Sequence, residues 1–156
     1  TILDHELFIE ADRITELNEE SIPTGNILPV DGTPYDFRQA HPIGEDIDKV
    51  EPGYDINYVL ADTARELVRA ASLHDPASGR IMEVLTTLPG IQLYTSNHME
   101  GIRGKEGLTY GKHSAVCLET QFFPDSANQP SFPSTLLRPG EEYASITVYR
   151  FSKHHD

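Results

Sequence analysis

Hydrophobic and polar positions alternate along this chain in short runs, and turn-forming residues separate one run from the next. Leu7, Ile9 and Ala11 recur at every second position among Glu6, Glu10 and Asp12, a period that predicts a half-buried strand within residues 3–17. Ser21-Ile22-Pro23-Thr24-Gly25-Asn26 predicts a turn into a strand at Ile27-Leu28-Pro29-Val30, and Asp31-Gly32-Thr33-Pro34 predicts another turn. Residues 41–53, with Pro42, Gly44, Pro52 and Gly53, hold no sustained period and read as loop with one short helical turn. Strands are predicted at 57–60, 65–73 and 80–88. A hairpin loop joins the last two at His74-Asp75-Pro76-Ala77-Ser78-Gly79, where Pro fixes φ and Gly permits φ above zero. Residues 66–71 have a helix-compatible composition, but the turn signals on both sides leave no room for a helix. Further strands are predicted at 91–95, 115–120 and 143–151, the last rich in β-branched and aromatic residues.

Many short strands, frequent turn signals and no long helical pattern predict an all-β sandwich or barrel. The 156 residues suffice for one domain that buries roughly two thirds of its unfolded surface. No repeat, low-complexity tract or linker divides them. With 38% apolar and 24% charged residues the composition is that of a globular protein, and no apolar run is long enough to cross a bilayer. No membrane partner is expected.

Charge narrows the function classes further. The net charge of −13 argues against a nucleic-acid partner, whose phosphates require Lys and Arg. Residues 1–62 hold 15 acids and 3 bases, whereas residues 63–156 hold 10 acids and 9 bases. This acidity reads either as solvated surface or as a face that meets a partner or repels anions. Cys117 is the single cysteine, so no internal disulfide forms; this fits a reducing compartment, and a cytoplasmic location is expected. There is no His-x-x-x-His or Cys pair with metal-ligand spacing, no glycine-rich phosphate fingerprint and no nucleophile elbow. His154-His155-Asp156 reads as a frayed terminus rather than a metal site. Neither metal nor cofactor is expected.

Three clusters invite chemistry. Gly53-Tyr54-Asp55-Ile56-Asn57-Tyr58 sets a carboxylate and an amide among aromatic rings, a composition suited to sugar faces and hydroxyls. The competing reading of Asp55 is a turn-forming Asp after Gly. Gln92 stands at the start of a strand between Ile91 and Leu93, which should face the other way, and its amide can both donate and accept. It reads equally as an ordinary satisfied Gln. In Val116-Cys117-Leu118-Glu119-Thr120-Gln121, Glu119 interrupts a mainly apolar strand. Desolvation there would raise its pKa toward the range of a general base unless the carboxylate is paired. A salt-bridged or edge-exposed Glu is the alternative.

These clusters sit within a longer series of matching stretches. It includes Asp4-His5-Glu6-Leu7, Ile9-Glu10-Ala11-Asp12, Ile22-Pro23-Thr24-Gly25 and Gly32-Thr33-Pro34-Tyr35-Asp36-Phe37-Arg38. Gly53-Tyr54-Asp55, Ser78-Gly79-Arg80 and Pro89-Gly90-Ile91-Gln92-Leu93-Tyr94-Thr95 continue it. Cys117-Leu118-Glu119-Thr120-Gln121, Pro124-Asp125, Asn128-Gln129-Pro130 and Leu137-Arg138-Pro139-Gly140-Glu141-Glu142-Tyr143 complete it. In this order and spacing the chain closely resembles the C-terminal half of the aldose 1-epimerases (galactose mutarotases). The resemblance implies a large twisted β-sandwich, the galactose mutarotase-like supersandwich. Residues 1–156 would be the C-terminal part of that single domain, with the N-terminal half absent from this chain. It also implies cofactor-independent interconversion of α and β anomers of hexoses such as galactose and glucose. By the same resemblance Glu119 matches the family's general base, while Asp55 and Gln92 match its sugar contacts.

The family's acid, a histidine in an Asn-His-x-Tyr-Phe-Asn motif, has no counterpart here, nor has a second sugar-binding histidine. None of His5, His41, His74, His98, His113, His154 and His155 has that context. The resemblance thus implies that the acid comes from a missing N-terminal half, carried by a partner chain or by another copy that completes the sandwich. Two further readings remain: a non-catalytic carbohydrate-binding module of the same fold, and a structural half-domain that needs a partner chain. A mutarotase of sugar phosphates would need an Arg or Lys cluster, which the acidic first segment does not offer.

Overall fold

The period-two run that opens the chain folds as two strands, not one. The computed structural model describes residues 1–61 and 66–153, so the predicted strand start at Arg65 and the terminal His154-His155-Asp156 lie outside the described residues. β1 (Glu6–Ile9) and β2 (Arg13–Leu17) part at residues 10–12 and enter different sheets. Leu7 and Ile9 reach the core from one side and Ile14 from the other, with Ala11 buried at the crossing.

The chain continues through β3 (Pro23–Pro29), β4 (His41–Pro42), β5 (Asp55–Val59), β6 (Val68–Asp75) and β7 (Arg80–Thr86). It ends with β8 (Gly90–Tyr94), β9 (Ile102–Arg103), β10 (Thr109–Tyr110), β11 (Cys117–Gln121) and β12 (Thr147–Lys153). One antiparallel sheet runs β12-β7-β6-β1-β4 and the second runs β11-β8-β5-β2-β3; β9 and β10 form a separate ribbon. Helix among the described residues is confined to short 3-10 turns, two of them, Ile43–Glu45 and Ile47–Lys49, where one helical turn is predicted.

Local chemistry explains where the boundaries shift. β3 starts at Pro23 because the turn before it is tighter than predicted: the Asn18 carboxamide accepts the N–H groups of Glu20 and Ile22, each at 3.0 Å. The β6–β7 hairpin forms at the predicted loop. Asp75 accepts Ala77 N–H at 3.1 Å and the Ser78 hydroxyl at 2.5 Å, and Gly79 supplies φ +71. β12 begins at Thr147 rather than Tyr143 and continues to Lys153; just before it Ile146 O accepts Thr87 N–H at 3.0 Å while Ile146 N–H turns to the Thr87 hydroxyl, which ends the regular ladder there.

The two sheets stack face to face. The main core takes Leu7, Ile9, Ala70, Ala71 and Val84 from one sheet and Ile14, Ile56, Tyr58, Ile91, Leu93 and Leu118 from the other. Tyr54 and Tyr58 are fully buried, and each hydroxyl finds a carbonyl: Pro34 O at 2.9 Å and Tyr35 O at 3.0 Å. Burial pushes the Tyr58 phenol well above its ordinary pKa. Tyr149 and Thr147 of β12 reach across to β11, the Tyr149 hydroxyl donating to Leu118 O at 3.0 Å and Thr147 meeting the Thr120 hydroxyl at 2.6 Å. β11 and β12 are therefore the two edges of the same side of the sandwich. That side is open: Phe151 lies in register with Met82, Leu73 and the buried Leu7, on the inward face, yet it is 73% exposed.

Candidate functional site

The pleat of three adjacent strands sorts their side chains by face. In β5, β8 and β11, Ile56, Tyr58, Ile91, Leu93 and Leu118 turn inward and are buried. Asp55, Asn57, Gln92, Glu119 and Gln121 occupy the alternate positions and share the outer face. Register brings them together, with Glu119 opposite Gln92 and Gln92 opposite Asn57 in one row. Asp55, Tyr94 and Cys117 form the next row, and Val59, Gly90 and Gln121 the row on the other side. The three residues singled out from sequence, Glu119, Gln92 and Asp55, thus meet on one face although 64 positions separate the first from the last.

Of the two readings of Glu119 the edge-exposed one holds, because its apolar neighbour Leu118 points to the opposite face and β11 is an edge strand. The Glu119 carboxylate makes no hydrogen bond or ion pair among the described residues. The rings of Tyr54 and Tyr58 are core residues and do not line this face. Gln92 behaves as expected, since Ile91 and Leu93 do face the other way.

Hydrogen bonds join the polar side chains. Gln92 Nε2 donates to Asp55 Oδ1 at 2.7 Å. Gln121 Nε2 donates to Gln92 Oε1 at 3.2 Å and to Asn57 Oδ1 at 3.3 Å. Gln121 was not a candidate from sequence, although its place two residues after Glu119 on a strand was a usable signal. Phe123 and Phe132 pack with Val59 and Ile27 and cover the outer face beyond Gln121 and Asn57. Cys117, beside Glu119, has its thiol pKa pushed up by burial first and by the nearby carboxylate second.

The end of β5 is held by a buried polar knot. Asn97 Nδ2 donates to Tyr54 O at 3.0 Å, Thr95 Oγ1 donates to Asn97 Oδ1 at 2.7 Å, and His113 Nδ1 lies 2.8 Å from Thr95 O. This fixes the backbone just before Asp55. A cleft of about 1110 Å³ lies elsewhere, under residues 133–144, and contains none of Asp55, Gln92 and Glu119. Among the described residues no group of three or more His, Cys, Asp or Glu is placed to hold a metal, and no helix is long and apolar enough to cross a membrane.

A family model described as aldose 1-epimerase matches residues 1–150. The galactose mutarotases of Rattus norvegicus and Homo sapiens are 48% and 47% identical to this chain over 153 residues, covering 97% of it and 44% of their own length. The aldose 1-epimerase of Escherichia coli (strain K12) is 33% identical over 157 residues, which span 96% of this chain and 45% of that protein. The crystal structure of the GalM/aldose epimerase homologue from C. elegans superposes with a TM-score of 0.89 at 30% identity, over 99% of this chain and 47% of that one. The chain thus spans a little under half the length of the relatives it matches. Nearly all of it falls inside the match in both sequence and superposed structure, and it belongs to the aldose 1-epimerase family.

Proposed function

We propose that this chain carries the base-bearing face of an aldose 1-epimerase active site, acting on a hexose such as galactose or glucose. The observation that carries the reading is the convergence of Glu119, Gln92 and Asp55 on one outer face in a chain of this family. Glu119 takes the proton of the C1 hydroxyl while an acid protonates the ring oxygen. The bond from C1 to the ring oxygen then breaks and leaves an aldehyde. Rotation about C1–C2 and the reverse proton transfers close the ring on the other face. Gln92 and Asp55 hold sugar hydroxyls during rotation. A positioned base contributes on the order of 10²–10⁴-fold.

The acid is a histidine from the part of the family pattern that this chain does not contain, carried by an N-terminal half or another copy. The open side at β11 and β12 supports this: Phe151 faces inward without cover, and both strands offer unpaired edges to further strands. The lone Cys117 supports a reducing compartment such as the cytoplasm.

Polarimetry of freshly dissolved α-galactose, with this chain and its complementary half combined, tests the reading. Catalysis is expected, and Glu119→Gln is expected to remove roughly 10²–10⁴-fold of it. A Glu119→Gln protein at full rate would show that another group is the base.

A further inference from the structure

We propose that Gln121, backed by Asn57, is a positioning residue that fixes which end of the Gln92 carboxamide faces which way. The proposal rests on the reading of Gln92 and Asp55 as sugar contacts and adds to it the device that sets their polarity.

The direction starts at Asp55. An ionised carboxylate only accepts, so the contact at 2.7 Å forces Gln92 to present Nε2 to Asp55. Gln92 Oε1 then points toward β11, where only a donor can meet it, and Gln121 supplies Nε2 at 3.2 Å. The same Nε2 reaches Asn57 Oδ1 at 3.3 Å. Asn57 is 1% exposed, and its Nδ2, turned away from Gln121, has no hydrogen-bond partner among the described residues. Turning the Asn57 amide over would set two N–H donors against each other at Gln121. The unpartnered donor is thus the mark of a polarity imposed from Asp55 and carried inward through two amides. An orphaned buried donor is costly, and a structure that keeps one holds the order of the chain in return.

The neighbouring backbone is shaped to hold this order. Gly90 stands in register with Gln121 and Val59. A Cβ on Gly90 would lie 2.6 Å from Asn57 Oδ1 and 3.1 Å from the Phe123 ring, so the Asn57 amide occupies the space that glycine leaves. With its orientation fixed, Gln92 has one Nε2 hydrogen and one Oε1 lone pair left. It offers a ligand hydroxyl a donor on the Asp55 side and an acceptor on the Gln121 side.

Two substitutions separate this role from packing. Gln121→Glu keeps the shape but turns the donor into an acceptor, and Gln121→Met keeps the length but removes the polar end. In sugar-free chain labelled with nitrogen-15, the two Gln92 side-chain amide protons are expected to be well separated and slow to exchange. In both variants they are expected to move toward the positions of an exposed glutamine and to exchange several-fold faster. Backbone signals of β8 and β11, unchanged in Gln121→Met, report that the fold is kept if Gln121→Glu misfolds. Galactose affinity, by calorimetry of the chain combined with its complementary half, is expected to fall about 2–10-fold in the variants. Unchanged Gln92 amide signals in a folded Gln121 variant would overturn the positioning role alone. Galactose binding that stays at the wild-type level while those signals move would overturn it too. A wild-type chain that binds no galactose when combined with its complementary half would instead refute the reading of the site, leaving the amide signals to decide the role of Gln121.

Discussion

Gly53→Ala tests the knot that holds Asp55 in place. Gly53 sits at φ +139, a conformation that favours glycine, and a Cβ there would collide with Asn97 Oδ1 and lie 2.7 Å from His113 Cε1. The backbone strain alone costs about 1–3 kcal/mol. Asn97 cannot step aside freely, since its amide is 6% exposed and joins Thr95 Oγ1 to Tyr54 O. Displacing it breaks two buried hydrogen bonds at about 1 kcal/mol each. The sum is roughly 3–5 kcal/mol, and a urea midpoint followed by circular dichroism is expected to fall by about 1–3 M. In an Asn97→Ala background the contact with Asn97 is gone and only that with His113 Cε1 remains, so the same change is expected to cost less than in the wild type, by about the 2 kcal/mol of the two hydrogen bonds. A Gly53→Ala chain within about 1 kcal/mol of wild type would refute the reasoning. So would an equal cost in both backgrounds.

Leu93→Ala empties a fully buried position at the centre of β8 and is expected to cost about 2–5 kcal/mol in urea unfolding, with a loss below about 1 kcal/mol contradicting its place in the core. Arg38→Gln removes contacts of 2.6 and 2.8 Å to Asp36 and of 2.6 Å to Asp31. The Arg38 hydrogen bond is the main cause that holds the Asp36 carboxyl below its ordinary pKa. The folded value lies below the unfolded one, near 3.9, so the stabilisation is present above that pH and lost as pH falls through the folded value. The difference in Tm between wild type and Arg38→Gln is therefore expected to be largest near neutrality and to shrink below about pH 4. An equal difference at both pH values would contradict the pairing.

Local alternation made much of this fold readable, and it failed where a side chain's surroundings are set by register. Ile91 and Leu93 flank Gln92 and do point away from it, as their period requires. The same rule applied to Glu119 would have sent Leu118 to the other face; reading neighbours in sequence as neighbours in space made the carboxylate look desolvated. Residues 3–17 hold no Gly or Pro to mark a break, and only the change of phase at Arg13, exposed, and Ile14, buried, after Leu7, Ile9 and Ala11 marks the crossing into the second sheet. The contact of Gln121 with Asn57 joins positions 64 residues apart and leaves no local trace. The turn at Asn18 depends on one carboxamide accepting two N–H groups, a detail hidden behind the more conspicuous Pro23 and Gly25.

Because β5, β8 and β11 turn one set of alternate residues to the core and the other to the outer face, adjacent letters of the same strand answer to different pressures. Substitutions at Ile56, Ile91, Leu93 or Leu118 are expected to lower the amount of folded chain, while those at Asp55, Gln92 or Glu119 are expected to leave it nearly intact. Tolerance measured position by position along these strands will rise and fall with a period of two. The exposed letters of the three strands, Asp55, Gln92 and Glu119, can accordingly be exchanged without repacking the main core between the two sheets.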